Sequence, residues 1–294
     1  VLIVPFLAFA QAEKAFNGIV LDQNLETVSN KLEEISETMD LVTVDTPIFP
    51  MAKTKENHLV CKNLQTQYGK VARAVFTFAD DTLQYIEARG NVEKTLVVQM
   101  KDTSRTYLNL EVYPRDKLFF DRDQDAVWIM NEEAMHLNLF TWNNPLLDPK
   151  SKVGKKDKTS SEVPAFLEMG SLMEDIKPVL KANSLFTTTD KLDGSDPNAQ
   201  IQINCFGVQY MGFPRKIEAR FGDEKLNVVW ILTGKGEEDR IRRALKAQFG
   251  EPDYVNDAWE IFNNWQVGLR KDKPEILLME KSLGQKYKTE YFKQ

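Results

Sequence analysis

Apolar residues repeat at helical spacing at one place in each half of the chain. In the first half, Asn24 is a favoured N-cap residue and precedes an apolar stripe with acids between its members. That stripe consists of Leu25, Val28, Leu32, Ile35 and Met39. In the second half, Ser171 with Glu174 matches a capping box that opens a second helix. Pro178 is expected to kink or shorten that helix, and a further helix is predicted over 237–249.

The pattern changes to a two-residue alternation after each of the first two helices, which predicts strands. The predicted strands cover residues 58–64, 73–78 and 82–87 in the first half and 200–208, 216–221 and 225–232 in the second. Three more are predicted at 258–262, 266–269 and 275–281. Short acidic turns at 79–81 and 222–224 join the last two strands of each set of three.

The two halves also share residues at a constant spacing. Gly69, Phe78, Asp80, Leu83 and Ile86 lie 143 residues before Gly212, Phe221, Asp223, Leu226 and Val229. A shared spacing at five such positions indicates an internal repeat, and duplication of one module accounts for the length of the chain.

A polar, lysine-rich stretch between the halves is typical of an interdomain linker. We therefore predict a signal-peptide remnant over 1–12, module 1 over 13–147, a linker over 148–163 and module 2 over 164–294. The predicted fold class is α+β, with two tandem related modules, each with helices packed on one face of an antiparallel sheet.

Composition narrows the function classes. The chain has 294 residues, a net charge of −6 and two cysteines. The acidic balance provides no basic patch for nucleic acid, so no nucleic-acid partner is expected. No later apolar run reaches the roughly 18 residues that a membrane span needs, so no transmembrane segment is expected in the mature chain.

The first twelve residues are apolar and uncharged, and they end in the small-residue pattern Ala10-x-Ala12. Signal peptidase recognises such a pattern, and the charged Glu13 and Lys14 follow at once. This arrangement predicts the remnant of a cleaved signal peptide and a periplasmic or secreted location. A buried N-terminal strand is the alternative interpretation.

A run of packing and turn residues in the second half resembles small exported modules of bacterial envelope proteins. It comprises Phe221, Asp223, Leu226, Leu245, Phe249, Gly250, Pro252 and Trp259. The architecture resembles the outer-membrane assembly lipoproteins of the SmpA/OmlA type and the tandem-module β-lactamase inhibitor proteins. The resemblance implies small α/β modules that bind other proteins. The chain departs from the lipoproteins because no cysteine follows its apolar start.

One acidic stretch has the carboxylate spacing of a calcium-binding loop. Asp121, Asp123, Asp125 and Glu132 occupy positions 1, 3, 5 and 12 of an EF-hand pattern. The required glycine at position 6 is replaced by Ala126, and residues 127–130 are an apolar run that predicts a strand. The pattern therefore favours an acidic hairpin turn, with calcium binding as the alternative and no other cofactor indicated.

The remaining candidates are two cysteines and two tryptophans. Cys61 and Cys205 could pair in an oxidising compartment, and the alternative is two free buried thiols. Trp142 and Trp265 are candidate partner-binding residues, since large aromatics anchor interfaces. Trp265 follows two asparagines and is expected at the surface.

The sequence contains no catalytic constellation that we can assign, and enzymatic activity stays open. The leading hypothesis is an exported bacterial protein that binds another envelope or secreted protein without catalysis. The alternative is a calcium-binding or hydrolytic exported protein that uses the loop 121–132.

Overall fold

The computed structural model describes residues 16–100, 103–148, 162–273 and 275–293. The chain divides into two compact units: unit 1 is Val1–Pro47, Thr54–Met135 and Asn143–Lys155, and unit 2 is Ile48–Lys53, His136–Trp142 and Lys156–Gln294. The predicted module boundaries stay predictions. The predicted signal-peptide remnant and most of the predicted linker lie outside the described residues.

Unit 1 contains an antiparallel sheet of eight strands in the order β1-β2-β3-β4-β8-β7-β6-β5. In chain order the strands are β1 (Thr38–Val44), β2 (Glu56–Thr66), β3 (Gly69–Ala79), β4 (Thr82–Arg89), β5 (Arg105–Tyr107), β6 (Leu110–Tyr113), β7 (Leu118–Asp121) and β8 (Ala126–Met130). Tight turns with left-handed residues close its hairpins, as at Asp80 and Asp81. Each of the three predicted strands of this half lies within an observed strand.

Unit 2 contains a second eight-stranded antiparallel sheet, in the order β13-β14-β15-β16-β12-β11-β10-β9. Its strands are β9 (Phe186–Lys191), β10 (Ile201–Tyr210), β11 (Phe213–Gly222), β12 (Lys225–Leu232), β13 (Tyr254–Val255), β14 (Trp259–Phe262), β15 (Val267–Arg270) and β16 (Glu275–Met279). Read from β9 to β13, this is the same arrangement as β1 to β5 in unit 1. The third and fourth strands of each unit even share an irregularity, at Thr77/Phe78 and at Arg220/Phe221.

The part of the chain that the structure describes contains six α-helices, two of which have five residues or fewer. They are α1 (Leu25–Ile35), α2 (Val92–Thr95), α3 (Glu132–His136), α4 (Met173–Ala182), α5 (Glu238–Phe249) and α6 (Lys281–Glu290). The Asn24 cap is confirmed, because its side chain accepts a hydrogen bond from the Thr27 amide. The capping box at Ser171 is wrong, since α4 begins after Leu172 without a side-chain cap, and the helix continues past Pro178.

The predicted fold class is wrong. Strands make up 40% of the described residues and helices 24%, so each module is mostly a wide antiparallel sheet rather than a layer of helices on a sheet. The prediction failed because strands were missed in both units. These are β1 and β5–β7, half of the sheet, in unit 1, and β9 and β13 in unit 2. Each sheet continues on both sides of the three strands that the alternation predicted.

Each unit has its own hydrophobic core, built mainly from strand residues. In unit 1, α1 contributes Val28 and Leu32 to a cluster that contains Phe76, Phe78 and Phe120. In unit 2, the corresponding cluster contains the residues Ile176, Phe221, Ile231, Ile241 and Leu269. A smaller cluster in unit 2 includes Val228, Leu277, Met279 and Leu283. The cores hold the sheets rigid and so fix the positions of the strand edges.

Candidate functional site

β1 is the longer of the two edge strands of the unit 1 sheet. β1 is the last strand of its sheet and pairs with β2 in unbroken register, from Thr38 opposite Lys62 to Val44 opposite Glu56. All seven of its residues are partly or fully exposed. Within the described part of the chain, no strand pairs with its other side. An unpaired edge of this kind offers a row of N–H and C=O groups to an incoming strand.

β1 lacks most of the features that usually protect an edge strand, and Asp40 is its one charged residue. Natural sheets block their edges with short strands, Lys, Pro or bulges. β5 has three residues and β13 has two, and β9 ends in the charged pair Asp190-Lys191. β1 has seven residues, no Lys, no Pro and no register shift. At its centre, Leu41 is 56% exposed. β1 is therefore the strand edge best suited to accept a partner.

A buried polar cluster lies on β2 and β3, and its hydrogen bonds stiffen these two strands. His58 Nε2 is 2.9 Å from Glu56 Oε1, and His58 Nδ1 is 3.0 Å from Thr77 Oγ1. His58 lies opposite Val42 on the neighbouring strand. The order hydroxyl, imidazole, carboxylate matches a nucleophilic triad, but all three side chains are buried, and Thr77 has no exposed surface. The cluster therefore acts as an internal support and offers substrate no access.

A second buried carboxylate, Glu87, fastens the chain segment after residue 142 to the sheet of unit 1. It accepts hydrogen bonds from the Asn144 amide at 2.7 Å and from Arg89 Nε at 2.8 Å. Arg73 Nη1 donates to the Leu147 carbonyl at 2.7 Å. Burial raises the pKa of Glu87 above its ordinary value, although Arg89 partly opposes the shift. This arrangement stabilises the unit from within.

The predicted calcium loop is a tight hairpin turn between β7 and β8. Asp121 Oδ1 accepts hydrogen bonds from the amides of Asp123 and Gln124, each at 3.0 Å. Asp125 accepts from the amides of Asn91 at 2.6 Å and Val92 at 3.0 Å, at the start of α2.

The fourth predicted ligand, Glu132, lies beyond β8 in α3. No group of three or more metal-binding side chains occurs among the residues that the structure describes. Calcium binding stays a prediction.

A cleft of 390 Å³ lies beside this turn, between Ser104 and Asp123. Its most prominent charged group, Arg122, forms ion pairs with Glu93 and Glu111. The Tyr113 hydroxyl donates to Glu111 at 2.7 Å, and this bond is the main cause of the lowered pKa of that carboxyl. Arg122 and Glu111 thus have partners within unit 1.

Both tryptophans proposed as partner-binding residues are buried. Trp265 is 4% exposed, so its expected surface position is wrong. It packs in unit 2 against Tyr254 and Phe292, with ring centroids 5.4 and 5.3 Å away. Trp142 packs on Phe213 in the same unit at 4.8 Å. The residues next to Trp265 in the sequence do not indicate that α6 and the residues after it cover its side chain. The partner-binding role of both residues stays a prediction.

Cys61 and Cys205 are buried in the core clusters of unit 1 and unit 2, respectively. Burial raises the pKa of each thiol to about 11. Neither is a reactive thiolate near neutral pH. The disulfide between them stays a prediction.

Sequence analysis missed β1, although the chain carries a signal for it. Residues 41–44, Leu-Val-Thr-Val, are a β-branched run that favours a strand. Met39 also fits the helical spacing of the preceding stripe, and for that reason it was assigned to the helix. The structure ends α1 at Ile35 and places Met39 on β1, opposite Cys61.

The chain matches no protein-family model, no curated protein and no solved structure. The resemblance to envelope modules therefore stays a prediction. No helix within the described ranges combines the length and apolar character needed to cross a membrane.

Proposed function

We propose that the protein is an exported, non-enzymatic binding protein that takes up an extended segment of another envelope or secreted protein along β1. The open edge of this seven-residue strand is the observation that supports the proposal. Export rests on the small-residue pattern at Ala10 and Ala12.

Strand addition suits this edge physically. A segment laid beside β1 would form main-chain hydrogen bonds, each of which contributes roughly 0.5–1.5 kcal/mol net. The pairing with β2 in unbroken register holds β1 in its extended form before binding. A preorganised edge reduces the entropy cost of association.

The similar sheets of the two units fit the hypothesis that one binding module was duplicated. β9 occupies in unit 2 the position that β1 occupies in unit 1. β9 carries the charged pair at its end, and the bulge in β10 lies beside it, between Cys205 and Val208. We therefore assign binding to β1 and use β9 as its internal control.

The test uses three nine-residue peptides built on the strand-forming sequence Xaa-Thr-Val-Thr-Leu-Thr-Val-Thr-Xaa. The end residues are Lys, Gln or Glu, which defines a Lys, a Gln and a Glu peptide. Hydrogen–deuterium exchange of the full chain is followed with and without each peptide. At least one peptide is expected to slow exchange within residues 38–44 and to leave 186–191 unchanged.

Main-chain pairing is separated from simple side-chain contact by N-methylation. Methylating alternate amides along one edge of the bound peptide should abolish binding, whereas methylating those along the other edge should leave it intact. The proposed function is wrong if all three peptides fail to bind, or if they bind and leave the exchange of 38–44 unchanged.

A further inference from the structure

We propose that the segment bound at β1 is cationic, with an apolar residue at its centre and Lys or Arg at its ends. This inference rests on the proposed function of β1. It specifies the charge and apolar pattern that would determine which extended segments β1 binds preferentially.

The acidic residues at β1 are the first reason. Glu37 and Asp45 flank the strand and Asp40 lies within it, and all three are exposed. Residues 37–45 contain no Lys or Arg. On β2, Lys62 lies opposite Thr38 at one end of β1 and leaves the acids in excess. A strand added beside β1 would place its own side chains next to these carboxylates, where opposite charges stabilise pairing.

The spacing of these residues sets the pattern of the partner. Glu37 and Asp45 are each four residues from Leu41 and flank the two ends of β1. The exposed Leu41 therefore lies midway along the chain between two carboxylates. An antiparallel segment complements this edge with a basic residue, an apolar residue and a second basic residue at matching intervals of four.

The same charges disfavour a second copy of the chain as the occupant. In a twofold antiparallel pairing centred on Leu41, Glu37 of one copy would lie opposite Asp45 of the other. Like charges directly opposite each other destabilise a strand pair. The charges at the edge of β1 thus favour pairing with a basic segment over pairing with β1 of a second copy of the chain.

The test compares the dissociation constants of the Lys, Gln and Glu peptides defined above, by fluorescence anisotropy at low salt. Two opposite-charge pairs should make the Lys peptide bind roughly 2- to 30-fold more tightly than the Gln peptide, and the Glu peptide should bind more weakly than both. High salt should reduce these differences, because the pairs are exposed and therefore screened.

The double variant Glu37→Gln/Asp45→Asn should remove most of the preference for the Lys peptide while the Gln peptide binds as before. The matched control, Glu174→Gln/Asp175→Asn, changes net charge equally on exposed positions of α4 and should keep the preference.

Equal binding of all three peptides at β1 would overturn the cationic preference and leave the proposed function intact. Failure of all three would overturn the proposed function itself. If the α4 control variant loses the preference for the Lys peptide as much as the β1 double variant does, the preference is a general effect of net charge. That result would also overturn the inference. Concentration-dependent dimers that protect residues 38–44 from exchange would identify a second copy as the occupant and reject the basic segment.

Discussion

Leu41 of β1 lies directly opposite Leu59 of β2, yet Leu41 is 56% exposed while Leu59 is 1% exposed. Leu59 belongs to the hydrophobic core of unit 1. Two leucines that face each other across one ladder thus have different surroundings. This difference separates the contribution of β1 to folding from its proposed contribution to binding.

The first prediction uses this pair. Leu59→Ala should lower the free energy of unfolding by about 2–5 kcal/mol, because it leaves a cavity in a packed core. Leu41→Ala should cost less than about 1 kcal/mol but weaken binding of the Lys peptide. Urea unfolding and fluorescence anisotropy measure the two effects. If Leu41→Ala destabilises the chain as much as Leu59→Ala, the side chain serves the fold and is not free for a partner.

The central strands of each sheet could be predicted from sequence because one face of each is buried in a core. Phe76 and Phe78 alternate with less apolar neighbours, and that period identified β3. The edge strands carry no such alternation, since neither of their faces is fully buried. β9, Phe-Thr-Thr-Thr-Asp-Lys, contains a single large apolar residue. The candidate site lies on the edge strand β1, whose β-branched run at 41–44 was outweighed by the fit of Met39 to the preceding helical stripe.

The burial of Trp265 shows a second limit of sequence patterns. Asn263, Asn264 and Trp265 all adopt left-handed backbone conformations in the turn between β14 and β15, and this agrees with a loop position. The indole is nevertheless buried, because Gly284 of α6 lies against the backbone of Trp265. A Cβ atom at position 284 would come within 2.1 Å of the Trp265 carbonyl oxygen. Only the tertiary fold brings these two residues together.

The second prediction concerns the buried ion pair of unit 2. Arg215 Nη1 and Nη2 donate to the two carboxylate oxygens of Glu237 at 2.5 and 2.8 Å, and both side chains are almost fully buried. Glu237→Gln should destabilise the chain by about 3–5 kcal/mol, since it leaves the Arg215 charge buried without its carboxylate. Urea unfolding of the variant measures the loss.

The control is the double variant Arg215→Met/Glu237→Gln, which removes the stranded charge. It should recover part of the stability that Glu237→Gln alone loses. A double variant that is no more stable than Glu237→Gln alone would show that the buried charge of Arg215 does not dominate this site.

The third prediction is a pH dependence caused by Glu87. Its pKa in the folded chain is raised from 4.5, mainly by burial, so the folded state holds this proton more tightly than the unfolded state does. The stability contributed by the protonated carboxyl is complete below the unfolded pKa and is lost as pH rises through the higher folded value. Glu87→Gln, which cannot ionise, should therefore flatten the decline in stability as pH rises above 4.5.

Urea unfolding of the wild type and of Glu87→Gln across this pH range gives the difference between their free energies of unfolding. The titration of the other carboxylates cancels in this difference. Glu111→Gln is a suitable comparison, because the pKa of Glu111 is lowered and the sign of its effect is opposite. Parallel stability curves for the wild type and Glu87→Gln would show that Glu87 titrates alike in the folded and unfolded states.

The fourth prediction concerns the two cysteines. Because burial raises both pKa values to about 11, neither thiol should react measurably with a thiol reagent at pH 8 in the folded chain. After unfolding in urea without reductant, both thiols should react. If the unfolded chain does not react with the thiol reagent at all, Cys61 and Cys205 are bonded in the mature protein.

The fifth prediction concerns calcium and the turn between β7 and β8. Asp121 and Asp125 already accept hydrogen bonds from main-chain amides, and a cation would have to compete with these donors for the same oxygens. We therefore expect calcium and chelator to give the same melting temperature for the full chain.

Asp125→Ala should lower that temperature in both conditions, because the first amides of α2 lose their acceptor. A calcium-dependent rise that disappears in Asp123→Asn would reverse this assignment, since ligand binding to the folded state raises the melting temperature by mass action. Asp123 donates its amide to Asp121, and its Asn variant keeps that amide, so the loss could be attributed to the missing carboxylate.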